Sequence, residues 1–342
     1  MDVADLILAL PIILIGAELF TNGIEWVGEG FGLSEGAVGS VLAAIGTALP
    51  ETVLPLVAII VAHRGVGNEV GIGAIVGSPL MLSTLAVCIL GITVLVSKRR
   101  SAELTVTAPV IRQDLGTFLA LFSLAIVAGV VHVRPLHWVV SGFVLVAYAF
   151  YVRKHFRTPG EDRLEKEAVG EVKPLYLRRW LSSALRRQWG PPPPTWVSIT
   201  QSIVGVAVIV GGARLFVTGV THLSSRFHIS PLAFALLVAP VATELPETFN
   251  SSVIWARRGK DTLALGNITG AMVFGTAFPV SIGLLLTPWR LSGDSLAAAL
   301  VAFGAATLLY VSLRVRGRFS GGFLTIQGLF YAAYVAYVLT RL

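Results

Sequence analysis

Apolar positions in this chain gather into ten stretches with the polar positions crowded between them. The stretches cover roughly residues 4–24, 36–62, 70–97, 115–132, 135–152, 196–220, 231–256, 262–287, 294–313 and 321–340. Crossing the hydrocarbon of a bilayer takes about 20 apolar residues per helix, so each stretch predicts one membrane span. The fold class that follows is an all-α polytopic membrane protein of ten transmembrane helices, five in each half. The opening MDVADLILAL carries acids where a cleavable leader would carry bases, and is expected to be the start of the first span, with nothing removed.

Composition agrees. Hydrophobic residues make up 55% of the chain and charged ones 13%, with a mean hydropathy of +0.79, which excludes an ordinary soluble globule. The formal charge of +7 is a topology signal. Lys98, Arg99, Arg100 and Arg112 follow the third span, and bases run densely from Arg153 to Arg187 after the fifth. Arg257, Arg258 and Lys260, with Arg314, Arg316 and Arg318, fall on the same side if every span crosses. The positive-inside rule makes that side cytoplasmic and puts both termini outside, as expected for a prokaryotic plasma (inner) membrane protein. No nucleic-acid motif accompanies these bases, so nucleic acid is not an expected partner. The single Cys88 cannot form an intrachain disulfide and is expected to fill a helix interface.

Two segments repeat each other without a gap at an offset of 196 residues, Gly16–Thr52 and Gly212–Thr248. Each closes on a glutamate directly after a proline, Glu51 and Glu247, within an apolar stretch. An ionised carboxylate there is expensive, and a duplicated one signals function. With five spans per half, the second half enters the membrane from the opposite face, so the repeats are inverted, as in many secondary transporters. Gly46 and Pro50 in the second span, and Pro240 and Pro246 in the seventh, predict helices broken near the midplane, with carbonyls freed near 43–47 and 239–243. Freed carbonyls beside a carboxylate suit a hard cation such as Ca²⁺ or Na⁺.

GTALPET with GAELF and GIGAIVGSP, and ATELPET with GARLF and LGNITGA, resemble the two alpha-repeats of the calcium/cation antiporter superfamily, which includes the sodium/calcium exchangers. The resemblance implies a first repeat over 1–152 (motif residues 46–52 and 71–84), a linker over 153–195 and a second repeat over 196–342 (motif residues 242–248 and 264–276). It also implies that Glu51 and Glu247 are the central cation ligands, that Thr47 and Thr243 lend oxygens, and that Ser78 belongs to the second half of its motif. The departures are specific. Where the family motif has serine before Leu-Pro, this chain has Ala48 and Glu244; its second-motif serine becomes Ala271 in the second repeat; and a polar position one turn on becomes Leu82 and Gly275. Fewer Na⁺ ions are therefore expected, while Glu244 and Glu247, three apart on one helical face, crowd negative charge and favour a retained proton; Glu244 either ligates the cation directly or faces a vestibule, and Ser78 is a further candidate ligand.

Ser83 and Asn267 are expected to be interhelical hydrogen-bond formers, and the glycine pairs Gly73/Gly77 and Gly266/Gly270 to permit close helix packing. Glu18 and Arg214 occupy equivalent repeat positions and either pair or snorkel. In the linker, Leu177, Trp180, Leu181, Leu185 and Trp189 recur at helical spacing among arginines, which predicts either an interfacial helix or a plain solvated connection. The expected function is antiport of Ca²⁺ or a similar cation against Na⁺ by alternating access, without a cofactor, with the transported cations and the lipid bilayer as partners. Proton-coupled exchange is the alternative, and a non-transporting scaffold with a degenerate ion site is the alternative of another class. No nucleophile–base pair suggests an enzyme. The oligomeric state is not legible in the sequence.

Overall fold

The computed structural model describes residues 2–31, 49–61, 64–97, 102–155, 174–178 and 194–341. The first half comprises α1 (Asp2–Gly30), α2 (Leu49–Val61), α3 (Arg64–Met81), α4 (Val87–Val96), the short strand β1 (Glu103–Leu104), α5 (Ala108–Val131) and α6 (Arg134–His155). The second comprises α7 (Thr195–Phe227), α8 (Pro231–Glu247), α9 (Ile254–Arg257), α10 (Asp261–Leu286), α11 (Gly293–Arg316), β2 (Phe319–Ser320), α12 (Gly321–Ile326) and α13 (Gly328–Leu339). Among the described residues, eight helical segments are long and apolar enough to cross a membrane: 3–30, 65–96, 108–131, 134–154, 195–227, 261–286, 293–316 and 321–339. Two shorter apolar helices, 49–61 and 231–245, lie where the second and seventh spans are expected.

The expected break at Pro240 does not occur. α8 runs unbroken from Pro231 to Glu247, and the irregularity is a π-helical turn, Thr248–Val253, directly after it. A matching π turn, Leu82–Ala86, joins α3 to α4. Both follow a proline, Pro79 and Pro246. Around both, hydroxyls reach back to helix carbonyls: Ser83 to Pro79 (2.7 Å), Thr84 to Leu80, and Thr248 to Glu244 (2.9 Å). In lipid there is no water to satisfy a carbonyl that loses its N–H partner, so a nearby hydroxyl or a widened turn takes it over. Gly46 lies outside the described residues.

Two apolar cores result. One gathers residues of α1, α2 and α7, including Ile13, Leu54, Phe216 and Val220. The other gathers α4, α5, α6, α10 and α11, including Phe118, Phe122, Met272 and Leu309. α3 and α8 contribute to both, and they pack on each other more extensively than on other helices because α3 is glycine-lined there. A Cβ on Gly73 would stand 2.7 Å from the Leu232 carbonyl oxygen, and one on Gly77 would stand 2.6 Å from Pro240 Cγ. The packing role expected of this pair holds. It fails for the pair in the other repeat: a Cβ on Gly266 would make only an ordinary 3.8 Å contact with Ile111, and one on Gly270 would meet nothing within 4 Å.

Polar contacts fix the helix ends. Arg134 donates to the carbonyls of Thr287 (2.6 Å) and Leu285 (2.6 Å), placing a cation at the negative C-terminal end of α10. At its other end, the Asp261 carboxylate accepts from the Thr105 backbone N–H (2.9 Å). β1 and β2 pair antiparallel with Arg318 on Glu103 at 2.7 Å, so the segments after α4 and after α11 meet at one face of the bundle. Glu18 is not joined to Arg214; it accepts from the Tyr176 hydroxyl (2.7 Å). The Tyr176 and Leu177 backbone N–H groups bond the buried amides Asn22 and Gln201. The rest of the expected interfacial helix, from Trp180 to Trp189, lies outside the described residues. Cys88 sits against Gly328 between α4 and α13, as an interface filler should.

Candidate cation site

The seam between the two cores is where α2, α3 and α8 converge, and it is acidic. Glu51 on α2 is 7% exposed, Ser78 on α3 7%, Thr243 on α8 8% and Glu244 on α8 1%. The Ser78 hydroxyl donates to Glu244 Oε1, and the Glu51 carboxyl group neighbours that of Glu244. These residues are 166 and 193 positions apart in the chain; the close approach permitted by Gly73 and Gly77 brings them together. A cavity of about 10 Å³ adjoins them, lined by Glu51, Leu54, Pro55, Ala74, Ile75, Ser78, Ala239, Thr243 and Pro279. That is the volume of about one water-sized sphere. Among the described residues the lining contains no Lys, Arg or His.

Two like charges side by side in a buried, low-dielectric seam are costly, so such a pair favours a shared proton or a bound cation. The small cavity is faced by the Glu51 carboxyl and the side chains of Ser78 and Thr243 among apolar residues, with Glu244 bonded to Ser78 beside it. Such oxygen donors match a hard cation, and they lack the imidazole or thiolate that zinc or copper favours. Among the described residues no cluster of three or more His, Cys, Asp and Glu side chains occurs.

The expected ligands divide into three groups. Glu51, Ser78 and Glu244 come together directly. Thr243 lines the cavity, but its hydroxyl donates to the Ala239 carbonyl (3.2 Å), so the oxygen expected to be freed there is already occupied. Thr47 lies outside the described residues, and of Glu247 only the backbone, the last residue of α8, is described. The observed carboxyl pair is thus Glu51 with Glu244, the acid that has no counterpart in the first repeat, where Ala48 stands. The sequence signal for it was the departure from the repeat itself. Nothing in the sequence marked Pro55, Ala74 or Pro279 as lining. Gly275 neighbours the site: a Cβ there would stand 3.6 Å from Ser78 Oγ, an ordinary contact with the serine that holds Glu244. Asn267 reaches Ser252 Oγ (3.4 Å) across to the π turn, as expected of an interhelical former, whereas Ser83 bonds within its own helix.

A family model described as "Sodium/calcium exchanger protein" matches residues 3–154 and 197–342, nearly the whole chain. The chain belongs to that exchanger family. The family is one of transporters, not enzymes. The exchanger is 27% identical over 293 residues to inner membrane protein YrbG of Escherichia coli (strain K12), covering 83% of this chain and 80% of that one. Its fold is shared with a solved H⁺/Ca²⁺ exchanger, CAX, at a TM-score of 0.72 and 12% identity, covering 99% of this chain and 86% of the other. It is shared also with the sodium-calcium exchanger NCX_Mj at a TM-score of 0.55 and 20% identity, covering 98% of both. At these identities the likeness establishes the fold of the exchanger and leaves its coupling ion to the site.

Proposed function

We propose that the chain is a proton-coupled antiporter for Ca²⁺ or a similar divalent cation, with Glu51, Glu244 and Ser78 at its centre. The observation that carries this reading is the pairing of two buried carboxyl groups, Glu51 and Glu244, with Ser78 donating to Glu244 and, among the described residues, no basic side chain lining the adjoining cavity. A divalent cation must displace the shared proton to gain both carboxylates, and a returning proton must displace the cation. An empty, doubly charged site in low dielectric is the costly state, which discourages crossing unloaded and enforces exchange. Glu247, three residues beyond Glu244, and Thr47 complete the donor set in this reading, with Thr243 shaping the wall.

The architecture in this reading is ten crossings in two inverted five-helix repeats, joined by a cytoplasmic linker, with both termini outside. Reciprocal packing supports it. A Cβ on Gly16 would meet Ile209 Cγ1 at 2.8 Å, and one on Gly212 would meet Ile13 Cγ1 at 2.8 Å. Each contact is the image of the other at the repeat offset of 196 residues, which a two-fold relation between the halves produces. The solved relatives named above are an H⁺/Ca²⁺ exchanger and a sodium-calcium exchanger, so both couplings are within reach of the fold.

Reconstituted vesicles test the proposal. A pH gradient should drive ⁴⁵Ca²⁺ uptake, and Glu51→Gln or Glu244→Gln should abolish it. The second reading is sodium coupling, favoured by the GTALPET and ATELPET motifs. Uptake driven by a Na⁺ gradient and indifferent to pH would establish it in place of proton coupling. Absence of flux under any cation gradient would point to the scaffold reading.

A further inference from the structure

A further intramembrane carboxylate, Asp114, plays no part in that site. It sits in the second turn of α5 and is 1% exposed. Thr269 Oγ1 donates to its Oδ2 at 2.6 Å, and Tyr151 Oη donates to its Oδ1 at 2.8 Å. Short contacts of this kind are typical of hydroxyls donating to a carboxylate. Two consecutive helices, α5 and α6, and the distant α10 are thus tied at one point.

The helix held by this knot is the one that closes the cation site. α10 carries Thr269 on the face toward α5, and six and ten residues further along it carries Gly275, against Ser78, and Pro279, in the cavity wall. Between the polar anchors at its two ends, Asp261 with Thr105 and Arg134 on the Leu285 and Thr287 carbonyls, α10 meets α6 through aromatic contacts, Tyr148 edge-on to Phe278 at 5.5 Å and to Phe274 at 6.1 Å. Apolar packing between helices in lipid has no hydrophobic driving force and tolerates sliding, whereas a hydrogen bond to a carboxylate fixes depth and rotation. We infer that Asp114 is a positioning residue for cation binding, setting through Thr269 and Tyr151 the register at which α10 meets Ser78 and the Glu51–Glu244 pair.

The inference rests on the proposed exchange, so its test has one readout in flux and one outside it. In reconstituted vesicles, Thr269→Val and Asp114→Leu should raise the KM for Ca²⁺ about tenfold with a smaller change in maximal rate. Asp114→Asn, which still offers an oxygen to one hydroxyl and an N–H to the other, should restore KM to within about threefold of the parent. Asp114→Leu combined with Thr269→Val should be no worse than Asp114→Leu alone, as for two halves of one contact. Independently of flux, a cysteine at Gly270, where a side chain meets open space, should change its thiol-labelling rate several-fold in a Cys88→Ala background when Thr269→Val is added. An unchanged KM and labelling rate in Thr269→Val would overturn the assignment. So would an Asp114→Asn protein as defective as Asp114→Leu with a displaced pH profile, since charge and not register would then be the function. If the parent shows no flux, the exchange reading fails, and the labelling rate still decides whether Asp114 sets the register of α10.

Discussion

Gly77 and Gly270 occupy the same place in the two repeats, yet the fold gives them opposite surroundings, and this sets a quantitative test. A methyl group on Gly77 would meet Pro240 Cγ at 2.6 Å and press on the Leu236 carbonyl. Carbon atoms in contact prefer 3.5–4.0 Å, so α3 and α8 would have to part by about 1 Å. Neither obstacle is the end of a flexible side chain; one is backbone and the other a proline ring within a helix. Overpacking of this kind costs about 1–3 kcal/mol. The adjacent residue is Ser78, so the separation acts directly on its bond to Glu244. Taken wholly at the site, the cost corresponds to about a five- to 150-fold weaker hold on the cation. Gly270→Ala, with nothing within 4 Å of the new methyl, should leave both stability and transport within about twofold. Ca²⁺ flux in vesicles and melting temperature in detergent measure both variants. A Gly77→Ala protein with parental KM and melting temperature, or a Gly270→Ala protein that loses them, would refute the claim that close approach of α3 and α8 assembles the site.

Other consequences are open to the same assays. Ser78→Ala removes a buried hydrogen bond to a carboxyl group, worth about 1.5–3 kcal/mol when the acceptor is charged, and should raise the KM for Ca²⁺ by one to two orders of magnitude while the protein stays folded. Because a proton and the cation compete for the same two carboxylates, acidification should raise that KM, by as much as about tenfold per pH unit for a single competing proton. In Glu244→Gln any residual Ca²⁺ binding, followed by scintillation proximity, should lose most of this pH dependence. Arg134→Ala strips the C-terminal end of α10 of its donors and should lower the melting temperature by an amount equivalent to about 1–2 kcal/mol. Arg318→Ala removes an exposed ion pair and should cost less than about 1 kcal/mol.

The sequence alone determined the solvent, the helical class and the chemistry. Residues of this apolarity, in runs of this length, have no other way to satisfy their backbone in lipid, and a glutamate after a proline in such a run is too costly to be incidental. Duplication at a fixed offset singled out Glu51 and Glu247, and the mismatch with Ala48 marked Glu244 as a further acid, but that Glu244 is the neighbour of Glu51 emerged only from the tertiary structure. What lies between distant residues was decided by tertiary structure. Proline was expected to break α8 at Pro240, yet neighbouring hydroxyls and a π turn absorb the fault further along, because satisfaction of a carbonyl depends on what happens to pack nearby. The two glycine pairs look alike in the repeats, but only the pair on α3 faces a backbone close enough to forbid a side chain. Asp114 lies in an unremarkable turn of α5 and has no counterpart motif. Only the docking of α6 and α10 reveals that its charge is shared between two hydroxyls and spent on holding a helix in place.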